Sequence, residues 1–559
     1  MLRMSHNNWI VVQTLLVTSY YTSFLDPVSS FTPITTHLIQ PTHTCRSLDL
    51  HASTSSLEIN EITSVADLDD YFNDTKHQFR KKNGDIDYDT LLAQLSVKGD
   101  TQILGLPPSK SENDIGSGEP FVHPVLQLLH ERRRSKSPLT KISEERPDKR
   151  KVALIIEGGG MRGCVTAGMA GAVYYLGLAD SFDVIYGSSA GSIIGAYFNT
   201  RQLPLFGAEI YYDQLTTAGK RFIDAKRLLR TLGLGLLDPR LLKDVVTRPR
   251  FGKPVLNLDF LLKETLQEKK PLDWDKFMKM QEVQPVKVVA SGLKSEKSIC
   301  LEIANGGFTS VQEFAGAAHG SCLLPGIAGP VMNYDSNVKN NDGKDGMKFY
   351  VKNNVNKPGV EPMADALIFE PLPFRTAFAE GATDALVLRS RPDGTDVTGK
   401  TSIFEKLIFW RFFKKKNKLH DIHKYMRRHQ QKRIYAELVL ELNDATMCKG
   451  DKSMMAIAVP PESPEVTRLE TNREAIFDGV RRGFARAYDA LVEDPNERGR
   501  GLEVAKQVLP DEILDYDPLA IDAGDMSAFQ YYLMHNEAAG QGCDPKLIGM
   551  TAEEAGLPR

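Results

Sequence analysis

Ser189 sits in Gly187-Ser188-Ser189-Ala190-Gly191, a G-x-S-x-G turn between the apolar run Val184-Ile185-Tyr186 and the helix-like SIIGAYF. A strand, a sharp turn and a helix in that order lift a serine hydroxyl above the end of a sheet, which makes Ser189 a candidate nucleophile. The small residues Ser188 and Ala190 and the two flanking glycines suit an elbow whose backbone is strained and tightly packed. A serine that only caps the helix would not explain both glycines. Upstream, Glu157-Gly158-Gly159-Gly160-Met161-Arg162-Gly163 follows a second apolar run, Val152 to Ile156. This turn satisfies G-x-G-x-x-G, but the dinucleotide fingerprint also wants an acid at the far end of the next strand. Asp180 and Asp183 stand at the start of that strand, FDVIYG, so the pattern argues against a nucleotide. A nucleophilic serine does need an oxyanion hole. Backbone amides of Gly158, Gly159 and Gly160, with Gly163 opening the helix behind them, can turn toward a neighbouring elbow and add a helix's positive end. Arg162 either reinforces that hole or pairs with an acid that fixes the loop. The group that approaches the glycines is then a carbonyl oxygen becoming an oxyanion.

These turns require a sheet to hold them. From residue 151 to 392 strand-like and helix-like segments alternate, which indicates an α/β sheet with helices on its faces. VKVVASGL and ALVLRS read as strands. Residues 333–361 form a polar, Asn-, Asp-, Gly- and Lys-rich surface insertion with a hairpin around MKFYV. After 392 come long helical stretches, the short strand MMAIAVP, the helix TNREAIFDGVRRGFARAYDALVE, and from 493 to 559 an irregular tail. Before the sheet, residues 58–150 hold helical pieces and a Pro-, Ser- and Gly-rich linker, ending in the amphipathic HPVLQLLHERRRSKS with a solvated basic face.

EGGGMRG followed by GSSAG resembles the patatin-like phospholipases, and more closely the patatin-like proteins of bacteria. AAHGSCLLPGIAGPV, ADALIFEPLPFRTAFAEGATDALVLRSRP and PPESPEVTRLETNREAIFDGVRRGF extend the resemblance over residues 122–492. It implies a three-layer α/β fold with a mostly parallel central sheet flanked by helices, a catalytic domain over 151–392 and a helical C-terminal part over 393–492. It also implies a Ser–Asp dyad that hydrolyses carboxylic esters of membrane or storage lipids with no metal or organic cofactor. The family's acid sits in Asp-Gly-Gly or Asp-Gly-Ala; the matching position here is Asp365-Ala366-Leu367. Alanine lacks glycine's access to positive φ, so the local backbone must differ or be strained. That departure keeps a second reading open, a catalytically inactive lipid- or protein-binding relative. Asp342-Gly343 and Asp345-Gly346 keep the dipeptide but lie in the polar insertion. His319, His420, His423, His429 and His535 are assigned no catalytic role.

Apolar content of 42%, charged content of 25% and a net charge of −3 describe an ordinary globular chain and exclude the basic excess of a nucleic-acid binder. The six cysteines include no Cys-x-x-Cys pair, so neither a zinc site nor a disulfide framework is expected. Residues 1–57 read as a presequence: a short apolar stretch, small residues Val28 and Ser30 before Phe31, then a hydroxyl-rich, acid-poor segment. A bipartite plastid presequence has this form; plain secretion is the alternative. IFEKLIFWRFFKKKNK sets Phe409, Trp410 and Phe413 beside Lys414 and Lys415. Aromatics beside cations suit a helix at a lipid surface, and equally a helix whose aromatics pack inward while its lysines face water.

Overall fold

The computed structural model describes residues 123–141, 145–203, 207–227, 254–302, 308–339, 345–351, 358–395, 397, 403–445, 452–516, 528 and 531–532. The presequence, the rest of the region before residue 123, Asp342 and His535 lie outside the described residues.

The strands are β1 (Val152–Ile156), β2 (Val184–Ser188), β3 (Val286–Gly292), β4 (Lys297–Leu301), β5 (Met332–Lys339), β6 (Asp345–Val351), β7 (Val360–Ala364), β8 (Asp384–Leu388) and β9 (Ser453–Ile457). They form one sheet in the order β6-β5-β7-β3-β2-β1-β8-β9, with β4 also paired to β3. The centre, β3-β2-β1-β8-β9, is parallel throughout. Every residue of β1, β2, β8 and β9 is buried. Strands buried on both faces need helices on both faces, the three-layer arrangement implied by the resemblance. Antiparallel β5, β6 and β7 extend one side, and the insertion is the β5–β6 hairpin.

The helices used below are α1 (Pro124–Arg134), α2 (Gly163–Tyr175), α3 (Ala190–Asn199), α4 (Val311–Ser321), α5 (Ile403–Phe409), α6 (His420–Arg427), α7 (Gln430–Ala445), α8 (Arg473–Leu491) and α9 (Gly501–Val508). α8 is capped by Asn472, whose side chain accepts from the Ala475 amide, and most of its residues are buried. It crosses α2 so closely that a Cβ at Gly168 would stand 2.0 Å from the Val480 carbonyl oxygen.

The helical part after residue 392 is continuous with the sheet, since β9 pairs with β8 and α8 packs on α2. Two expectations are corrected. The tail after 493 is not wholly irregular: Leu502, Glu503 and Lys506 face outward in α9 while Val504 and Ala505 are buried. The basic end of α1 is not simply solvated either. Arg132 is buried, bonding Asp148 at 2.8 Å and Asp183 at 2.8 Å. Those charge-assisted bonds tie α1 to the segments before β1 and β2.

Candidate active site

Adjacent parallel strands bring the two glycine turns together. Ile156, the last residue of β1, lies opposite Gly187 of β2. Ser189 follows β2 at φ 51° and ψ −127°, an unfavourable backbone for a residue with a Cβ. Such strain costs roughly 1–3 kcal/mol and persists only where the surroundings impose it. Here the Ser189 amide donates to Ser321 Oγ at 2.7 Å, and the Ser192 hydroxyl donates to the Ser189 carbonyl at 2.6 Å. A Cβ at Gly187 would lie 2.4 Å from Ser192 Cα, and one at Gly191 would lie 2.1 Å from the Ile156 carbonyl oxygen. The elbow closes only with glycine at both ends.

β7 supplies the carboxylate. It runs antiparallel to β3, with Ala364 opposite Ser291, and delivers the next residue beside the elbow. Ser189 Oγ donates to Asp365 Oδ2 at 3.0 Å, while Asp365 Oδ1 accepts from the Leu367 amide at 2.9 Å. The second bond fixes the carboxylate as the cap of a single 3-10 turn, Ala366–Ile368. Ala366 opens that turn and is not among the positive-φ residues, so the departure from Asp-Gly carries no backbone strain. Asp345 pairs with Lys339 across the insertion hairpin and takes no part in this site.

Asp365 is only 4% exposed. Burial raises its carboxyl from the ordinary 3.8 to about 6, against the opposing pull of the Leu367 amide, the Arg468 cation and the Ser189 hydroxyl. A base must be ionised, so log kcat/KM is expected to fall with unit slope as pH drops below about 6. Arg468 favours the ionised form, so Arg468→Met is expected to move this acid limb to higher pH. A pH–rate profile on a soluble ester checks both; an unmoved limb would remove Arg468 from the argument.

The glycine turn divides into amides already engaged and amides left over. The Gly158 amide donates to Ser188 Oγ at 3.2 Å, and that hydroxyl donates to the Pro371 carbonyl at 2.6 Å. The Met161 amide donates to the Arg468 carbonyl at 3.0 Å. Gly159 (φ +149°) and Gly160 (φ +62°) occupy backbone regions open to glycine, and both line the cleft that holds Ser189. Among the described residues their amides meet no acceptor, and Ala190 at the first position of α3 has no helical acceptor for its own. The candidate amides for an oxyanion hole therefore narrow to those of Gly159, Gly160 and Ala190. Gly158 ties the loop to the elbow instead. Arg162 is buried and bonds Glu465 at 2.6 Å, which is the loop-fixing alternative. Gly163 drops out because its amide already donates to the Gly160 carbonyl, and packing against the Tyr211 hydroxyl leaves no room for a Cβ there.

Ser189, Asp365, Gly160, Leu324 and Arg468 border two cavities. One encloses about 1040 Å³, solvent mouth included, and takes in Glu157, Arg391, Glu405, Phe409, Lys432 and Tyr435. The other, of about 560 Å³, is walled mainly by Ile193, Ile194, Leu215, Phe222, Leu258 and Leu261. Two of the expected membrane-facing residues are thereby corrected. Phe409 (3% exposed) is a wall of the first cavity and Phe413 is fully buried, because both rings pack inward with Phe412. Trp410, Lys414 and Lys415 face outward. Among the described residues no histidine lines either cavity. Burial lowers His319 to about 4, so it is neutral near neutral pH.

Residues 154–378 match the sequence profile of the family described as patatin-like phospholipase. The chain carries a patatin-like phospholipase domain. The patatin-like domain belongs with lipid acyl hydrolases, which act on lipid substrates. No curated protein matches the chain. Among solved structures it is similar to VipD from Legionella pneumophila, at 14% identity and a TM-score of 0.24 over 74% of this chain and 89% of that one.

Several residues of the site carried no sequence signal of their own. Ser321 lies within AAHGSCLLP and Arg468 within PPESPEVTRLE, stretches that resemble the family without marking a contact. Glu405, Phe409, Lys432 and Tyr435 reach the cleft from α5 and α7, beyond the end of the matched patatin-like domain.

Proposed function

We propose that the protein hydrolyses carboxylic ester bonds of glycerolipids through a Ser189–Asp365 dyad. The observation that carries this reading is the 3.0 Å hydrogen bond from the strained Ser189 hydroxyl to a buried carboxylate whose other oxygen is locked. In acylation, Asp365 takes the hydroxyl proton as Ser189 Oγ bonds to the ester carbonyl carbon. The resulting oxyanion is stabilised by the amides of Gly159, Gly160 and Ala190. Collapse expels the alcohol, which recovers the proton from Asp365. Water then attacks the acyl-enzyme, Asp365 takes its proton, and the fatty acid leaves as Ser189 is reprotonated.

The two cavities divide the substrate by polarity. The apolar one suits the acyl chain, and the one with Arg391 and Lys432 suits the alcohol and headgroup. Alkyl fluorophosphonates, which mimic the tetrahedral intermediate, test both points. They are expected to label the protein, with labelling abolished in Ser189→Ala. Leu258→Trp is expected to slow a long-chain probe by about tenfold or more and leave a short-chain probe unchanged, since a few lost methylene contacts suffice for that. Undiminished labelling of Ser189→Ala would end the proposal. The unstrained Ala366 supports a catalytic site over a non-catalytic relative.

A further inference from the structure

α5 and the π-helical turn that follows it, Trp410–Lys416, have two unlike sides. Phe409, Phe412 and Phe413 turn inward, and Phe409 forms a wall of the headgroup cavity. The outer side carries Ile403 (81% exposed), Leu407 (36%) and Trp410 (40%), three of the five exposed large hydrophobics among the described residues. Their spacing of four and three residues puts them on one side of the helix. Lys406, Lys414 and Lys415 are exposed beside them, and the Lys415 ammonium stands 5.2 Å from the Trp410 ring centre. From 403 to 428 the chain places nine Lys and Arg against two Asp and Glu, although its net charge overall is −3.

From this we infer that the outer side of α5 and its π-helical extension docks on an anionic lipid surface and sets the mouth of the headgroup cavity against it. The charge requires an anionic partner. The apolar stripe needs hydrocarbon to enter, which a nucleic acid does not offer at its phosphate face, while a lipid interface offers both. A second copy of the chain fits poorly, because two equally cationic faces would meet. The interfacial role rests on the lipid-ester reading, since docking serves a cavity that receives ester lipids.

The test is sedimentation of the full chain with phosphatidylcholine vesicles, with and without a one-third share of phosphatidylglycerol. Binding is expected on the anionic vesicles and is expected to weaken with salt. Ile403→Ser/Leu407→Ser/Trp410→Ser and Lys406→Gln/Lys414→Gln/Lys415→Gln should each lower vesicle affinity by about tenfold or more. Both variants should hydrolyse a water-soluble ester at the wild-type rate, which shows that they fold, while losing hydrolysis of vesicle lipid. Wild-type protein that ignores anionic vesicles, variants that bind as well as wild type, or a dimer that the apolar substitutions dissociate would each overturn the docking surface. Failure to hydrolyse the soluble ester by a wild-type protein that still binds vesicles would instead sink the hydrolase reading alone.

Discussion

Asp365→Asn is expected to lower kcat/KM for a water-soluble ester by roughly a hundredfold to ten-thousandfold, the usual worth of a positioned base. Ser189→Ala sets the floor, on the order of a millionfold, because it removes the nucleophile itself. The two losses should not add, since base and nucleophile act as a unit. The same asparagine substitution should stabilise the fold in mildly alkaline buffer. The carboxyl's rise from 3.8 to about 6 means that its ionised form is less stable in the native state than in the unfolded chain. Below the unfolded value both states hold the proton and no penalty exists; it grows as pH climbs from about 4 to about 6 and is constant above. Its size, at 1.36 kcal/mol per pH unit, is at most about 3 kcal/mol. A thermal melt series across that window checks the sign: the gap between Asp365→Asn and wild type should widen with pH. An active variant, or one equally destabilised at every pH, would show that Asp365 is a structural cap rather than the base.

Gly158→Ala is expected to disable the site from the other side. Its Cβ would stand 2.3 Å from the Ser188 carbonyl oxygen, 2.6 Å from Ser189 Cβ and 2.8 Å from the Ala190 amide nitrogen. Two of these are backbone atoms of the elbow, which cannot rotate aside as a side-chain end can. The loop and the elbow must therefore separate. Overpacking of this kind costs about 1–3 kcal/mol or more. The separation also draws Gly159 and Gly160 away from the reacting carbonyl, and loss of oxyanion donors costs roughly a hundredfold to a thousandfold in kcat. Thermal unfolding and single-substrate kinetics measure the two effects separately. A variant with unchanged melting temperature and turnover would mean that the glycine turn does not abut the nucleophile.

Much of the site was legible because local chemistry marks it. The elbow needs small residues at fixed offsets around a serine, and the preceding turn needs glycines that tolerate positive φ. Both requirements appear as type and spacing within fewer than fifty residues of chain. The strands on either side were legible because a doubly covered parallel strand is apolar along its whole length, as Val152–Ile156 is. Asp365 became legible only through the family resemblance, since an aspartate 176 residues from its serine has no local signature. Its neighbour Ala366 looked like a departure that demanded strain; the 3-10 turn shows a conformation any residue adopts. For Arg162 the sequence left two roles open, and a carboxylate 303 residues away decided between them.

By itself, then, the sequence determined the α/β architecture, the candidate nucleophile, the glycine turn and the mismatch with a nucleotide fingerprint, since each depends on residue type at short range. The tertiary structure alone decided which amides remain unengaged, that Phe409 and Phe413 turn inward while Ile403, Leu407 and Trp410 turn out, and that Arg468 faces the dyad. The physical reason is the same in each case. A periodic pattern shows that a helix has an apolar side, but which side meets the core depends on how distant segments pack. Likewise, an amide or a carboxylate acquires its role from partners that only the folded chain brings within hydrogen-bonding reach.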